Sequence, residues 1–211
     1  MSFATGVVPA PGFADPARDA QRVFRAVLDA LAHPGRSCPL AGPADPPAAL
    51  GRGLAAVALT LLDEQSTLWL GEPLAHDAEA AAWLAFHTGA RRVSSVAVAD
   101  FVITVPCALP PLASLALGTD EAPHLSTTVV LDIRGCAGMA RFTARGPGID
   151  GTAALAAPWA PDGFADAWRR NAEMFPRGVD LPVLLGVGDQ RAANVGQSQA
   201  GIALSFLIEK A

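Results

Sequence analysis

The sequence predicts a layered α/β/α domain with a mixed β-sheet. Three observations carry this. Helical and strand-like segments alternate through the first half of the chain, the pattern of parallel strands joined by helical crossovers. A later stretch, Thr127 to Ala144, reads as two strands joined by a turn, which adds an antiparallel pair. The 211 residues are 51% apolar and only 17% charged. A chain of that size buries roughly 70% of its unfolded surface in one core.

Residues 1–14 carry Gly6, Pro9, Pro11 and Gly12 without periodicity and read as a flexible N-terminal lead-in; residues 15–211 read as a single α/β domain. The first helix starts at Asp15, a capping residue, with Pro16 in the first turn. Val23, Phe24, Val27, Leu28 and Leu31 form its apolar stripe, and Pro34-Gly35 stops it. A second helix is expected over Pro47–Leu62, weakened by Gly51 and Gly53, and leads into a strand at Thr67–Leu70. A third helix, Asp77 to His87, closes on Gly89 in a left-handed cap. Strands follow near Ser95–Ala99 and Asp100–Val105, then a short helix between Pro110 and Leu117. Thr127 to Ile133 and Met139 to Ala144 make the expected hairpin across Gly135–Gly138. After the Gly146-Pro147-Gly148 turn, a helix over Asp162–Met174 and a strand at Leu181–Leu185 complete the pattern.

Composition excludes several classes. No apolar run approaches the ~18 residues of a membrane helix. A net charge of −5 argues against bulk attraction to nucleic acid. Cys38, Cys107 and Cys136 are an odd set at wide spacing, unlike a disulfide framework or a metal-binding pair. With no basic segment followed by an apolar one at the start, a cytoplasmic protein is the expectation.

The lysine count is the sharpest chemical fact. Lys210, one residue from the end of the sequence, is the only lysine and is followed by Ala211, which argues against both the Schiff-base chemistry of a pyridoxal phosphate enzyme and a phosphate-loop Gly-Lys-Ser/Thr. Gly196-Gln197-Ser198-Gln199-Ala200 mimics a nucleophile elbow, but no histidine follows it. His33, His76, His87 and His124 lack metal-ligand spacing, and Gly186-Val187-Gly188 lacks the third glycine of a dinucleotide loop. No metal and no cofactor is expected. What remains are two loops suited to an anion. His87 and Thr88 stand at a helix end, and Arg145 stands beside the open amides of Gly146 and Gly148. Taken alone, each reads first as a helix cap or a turn.

The ordered segments Asp19-Ala20-Gln21-x-x-Phe24-Arg25, His33-Pro34-Gly35, Leu59-Thr60-Leu61-Leu62-Asp63 with Trp69-Leu70, Phe86-His87-Thr88, Leu117-Gly118-Thr119 with Pro123, Arg145-Gly146-Pro147-Gly148-Ile149 and Phe175-Pro176-x-Gly178-Val179-Asp180-Leu181 resemble the H-subunit (PhnH) family of the bacterial carbon-phosphorus lyase system. The resemblance covers residues 13–191. It implies a homodimer whose fold is similar to pyridoxal phosphate transferases but without the cofactor lysine. It also implies an accessory, non-catalytic subunit, with other subunits of the carbon-phosphorus lyase core complex as partners. That complex attaches a phosphonate to the ribose of ATP with loss of adenine. No catalytic residue is carried over. Residues 192–211 depart from the family's Leu/Ile-Pro-Arg-Thr-Thr ending. A rival reading is a free-standing enzyme acting on a phosphorylated small molecule with His87 as acid or base, in a pocket with Arg145 and Thr88.

Overall fold

Helix α1 (Pro16–Ala32) starts on two reciprocal carboxylate caps. Asp15 accepts the Arg18 N–H at 3.2 Å and Asp19 accepts the Asp15 N–H at 3.0 Å, pairing donors that the first turn cannot satisfy itself. The hydrogen bond from Asp15 holds the Asp19 carboxyl below the usual carboxylate range. Of the apolar stripe, Val23 and Val27 are buried with Ala30, whereas Phe24 and Leu28 remain about half exposed.

The computed structural model describes residues 9–33, 38–134, 136, 141–146, 149–157, 159–185, 200–204 and 207–209. After α1 come β1 (Cys38–Leu40), α2 (Gly51–Leu61), β2 (Thr67–Leu70), α3 (Ala78–Thr88), β3 (Arg91–Arg92), β4 (Phe101–Thr104) and β5 (Thr128–Asp132). Then follow β6 (Arg141–Arg145), β7 (Ala153–Ala156), α4 (Phe164–Glu173), β8 (Pro182–Leu185), β9 (Ala200–Leu204) and β10 (Leu207–Glu209). The main sheet has the order β1-β9-β8-β5-β4-β2-β3. Its β8-β5-β4-β2-β3 part is parallel, and β9 and β1 add antiparallel strands, so the sheet is mixed. A second, antiparallel sheet has the order β10-β6-β7.

Side-chain alternation along the strands sorts two cores onto the two faces of the main sheet. Leu68, Leu70, Ile103 and Val130 join the core built with α1, α2 and α3. Trp69, Val102, Val129 and Leu131 join the other, with Phe164 and Trp168 of α4 and Phe142 of β6. Apolar residues on both faces are what a central parallel strand requires.

The expected hairpin between residues 127–133 and 139–144 does not form. β5 lies between β4 and β8 in the main sheet, while β6 pairs with β7, a strand that sequence reading passed over. The physical reason is burial: Val129 and Leu131 need one cover and Val130 another, which a two-stranded ribbon cannot supply. Two further segments shrink to single 3-10 turns. Val96–Val98 stands where a strand was expected, and Leu112–Ser114 where a short helix was. The layer beyond the sheet therefore holds α4 and a small sheet rather than helices alone.

Candidate functional site

His87 and Thr88 sit at the end of α3, and each is held by backbone. The His87 Nε2 lies 2.8 Å from the Ala10 carbonyl oxygen, to which the Trp83 indole N–H also donates at 2.8 Å. A carbonyl only accepts, so Nε2 carries the proton. The Thr88 hydroxyl donates to the Leu84 carbonyl at 2.7 Å and accepts the Ala90 N–H at 3.1 Å. Gly89 follows in the left-handed conformation, as its place after the last helical residue demands. Ala10 and Phe13 pack against the core, so the lead-in is docked from this point on; residues 1–8 lie outside the described residues.

Arg145 ends β6 on the second sheet, opposite Leu207 of β10. Gly146 follows at φ 140°, a conformation that side-chain-bearing residues rarely adopt, and Gly148 lies outside the described residues. The expected composite site is thereby divided. His87 and Thr88 belong to the helical layer on one face of the main sheet, and Arg145 to the small sheet on the other.

The short segments noted in the sequence serve the architecture in several places. Asp63 turns the chain into β2, accepting the Ser66 hydroxyl at 2.8 Å and the Gln65 N–H at 3.0 Å; those bonds hold its carboxyl below the ordinary range. Gly118 has φ 71°, and a Cβ there would stand 2.7 Å from the Pro123 carbonyl oxygen, which links the Leu117-Gly118-Thr119 turn to Pro123. Buried Asn171 acts as a strand partner for Val179, and sequence reading missed it because the two residues meet only across the Phe175–Gly178 turn. Among the described residues, no cluster of three or more His, Cys, Asp and Glu side chains could hold a metal ion, and no helix is long and apolar enough to cross a membrane.

Two open clefts flank the parallel strands at opposite ends. The one at the amino ends has a volume of about 860 Å³ and is lined by Leu31, His124, Trp168, Phe175, Arg177 and Asp180. Phe175 at its rim is 86% exposed, and Arg177 pairs with Asp120 at 3.1 Å. Desolvation within this cleft raises the Asp180 carboxyl above the usual range. A raised folded pKa means that the native state holds the proton more tightly than the unfolded chain, so this contribution is lost as pH rises through the folded value. Because Asp180 is exposed to solvent, the effect is small: Asp180→Asn is expected to melt slightly above the wild type at neutral pH, with the difference vanishing below about pH 3, where aspartate is protonated in both states. Thermal melts across this range check the sign; a variant that melts lower at neutral pH would mean that the carboxylate has a stabilising partner. The second cleft, of about 710 Å³, lies at the carboxyl ends and is lined by Trp69, Glu72, His76, Arg92, Ser94 and Ala108.

Fold and clefts together define a mixed-sheet α/β protein with helices on one face, a helix and a small sheet on the other, and a cleft at each end of its parallel strands. The family profile described as bacterial phosphonate metabolism protein (PhnH) matches residues 11–192. The chain is also 41% identical over 170 residues to the alpha-D-ribose 1-methylphosphonate 5-triphosphate synthase subunit PhnH of Rhizobium meliloti (strain 1021). That alignment covers 80% of this chain and 84% of the relative. The chain belongs to the PhnH family of bacterial phosphonate metabolism proteins. The family match ends at residue 192.

Proposed function

We propose that the protein is an accessory subunit of a synthase that transfers a phosphonate onto the ribose of ATP with loss of adenine, working in the cytoplasm as a homodimer beside other carbon-phosphorus lyase subunits. The observation that carries this is the 41% identity to a relative named as a subunit of such a synthase, sustained over 80% of the chain. Exposed Phe24, Leu28, Phe86 and Phe175 support it, since large apolar side chains at a surface favour assembly. A kinship of the sheet with pyridoxal phosphate transferases is part of the same reading, supported by its parallel centre, but without the cofactor lysine, since no lysine precedes Lys210. The free-standing enzyme with His87 as acid or base draws less support, because the Nε2 of that imidazole is committed to the Ala10 carbonyl.

Co-expression with the neighbouring phosphonate proteins tests the proposal. The tagged chain should retain them stoichiometrically through purification, and light scattering of the chain alone should give twice the monomer mass. Failure to retain any of them overturns the subunit reading, and a monomer mass at micromolar concentration overturns the dimer.

A further inference from the structure

The parallel strands change their direction of connection at β2. From β2 the chain crosses through α3 to β3 on one side, whereas β4, β5 and β8 lie in succession on the other. In open α/β sheets such a switch point leaves a crevice beyond the carboxyl ends, because the two connecting segments part there. The 710 Å³ cleft occupies this place: Trp69 belongs to β2, Glu72 and His76 follow it, Arg92 ends β3, and Ala108 follows β4. Its volume falls within the roughly 300–1,000 Å³ of small-molecule sites.

The polar groups around it are complementary in kind. The Arg92 Nη2 donates to the Ala75 carbonyl at 2.8 Å, which fixes the guanidinium on the wall. Its other N–H groups meet no protein acceptor among the described residues, and a guanidinium matches the geometry and charge of a phosphate. Glu72 lies two residues past the end of β2, and its carboxylate stands 3.6 Å from His76 Nδ1 at an exposed rim. A carboxylate only accepts hydrogen bonds, and an acidic side chain near such a switch point suits the hydroxyls of a ribose. Trp69 and Ala108 supply the apolar wall.

We propose that this cleft binds a phosphorylated ribose, free or within a nucleotide, with Arg92 on the phosphate and Glu72 on the sugar hydroxyls. The inference rests on the cleft alone and goes beyond the subunit reading, since it gives this chain a ligand of its own. Calorimetric titration of the full chain with ribose 5-phosphate, ATP, adenosine and inorganic phosphate tests it. Both phosphorylated ribose compounds should bind; ATP binding more tightly than ribose 5-phosphate identifies a nucleotide site, and equal affinities a sugar phosphate site. Arg92→Ala should weaken both by about 10- to 100-fold at an unchanged melting temperature. Glu72→Gln should weaken the sugar ligands and leave inorganic phosphate unaffected, and Arg177→Ala in the opposite cleft should change nothing. Absence of heat with either ribose compound, or equal affinity in wild type and Arg92→Ala, overturns the site. Neither result touches the co-purification outcome, so the two readings fail separately.

Discussion

Arg134→Ala is expected to lose about 3 kcal/mol or more of stability, toward the low end of the 3–5 kcal/mol seen when one partner of a buried ion pair is removed. Asp132 ends β5 with its side chain 7% exposed. Both of its oxygens accept from the Arg134 Nε at 2.9 Å, and Nη2 adds a bond to Oδ2 at 2.7 Å. The same Nη2 reaches the Ala49 carbonyl, just before α2, so one guanidinium ties the end of the central strand to the start of a buried helix. Gly51 permits this approach: at φ 60° a Cβ would stand 2.1 Å from Nη1. Arg134 is itself 37% exposed, which discounts its own share; the loss comes from the carboxylate left behind. For a domain of this size the midpoint should fall by roughly 6–12 °C. The double variant Asp132→Asn with Arg134→Met should recover most of it, because no charge is then left without a partner. A loss below about 1 kcal/mol would place the pair among ordinary surface ion pairs instead.

What could be read from the sequence divides along the range of the deciding interaction. Helices α1 and α3 were legible because their caps are local: Asp15 and Asp19 act within one turn of each other, and Gly89 follows its helix directly. The short apolar strand β2 was legible for the same reason. Pairing was not. The glycines after Ile133 carry turn chemistry, yet β5 goes to the centre of a parallel sheet because Val129, Val130 and Leu131 are apolar on both faces. That run was the available sign against a ribbon. β7 passed unnoticed because alanine, three of its four residues, has little strand preference. At the candidate site, His87 and Thr88 look like open donors in a linear reading. Their partners are the Ala10 carbonyl, 77 residues away, and the helix's own backbone. The carboxyl-end cleft is built from residues spread from Trp69 to Ala108, with no motif to join them before the strand order is known.

Asn171→Ala should have the second large effect. The Asn171 side chain copies a neighbouring strand: its carboxamide oxygen accepts the Val179 N–H at 2.8 Å and its amide donates to the Val179 carbonyl at 3.1 Å. Both residues are buried, so truncation leaves two backbone groups without partners, at about 1–3 kcal/mol each. Gly178 makes the close approach possible, with φ 124° and a would-be Cβ 3.0 Å from the Asn171 carboxamide oxygen. The consequence extends past Val179, because the next residue anchors the chain beside β5. The Asp180 carbonyl accepts the Val129 N–H at 2.8 Å, and the Asp180 N–H donates to Thr127 at 3.2 Å. The variant should therefore lose roughly 2–6 kcal/mol, with faster amide exchange at Val129 and Val179 before global unfolding. Asn171→Asp separates packing from pairing. It keeps the volume and the acceptor for the Val179 N–H but, while ionised, has no donor for the Val179 carbonyl; it should be at least as destabilised as alanine at neutral pH and recover toward the wild type as the pH falls and the protonated carboxyl regains an O–H donor. If Asn171→Ala melts with the wild type and those two amides keep their protection, the turn from Phe175 to Leu181 is held by its apolar contacts and not by this side chain.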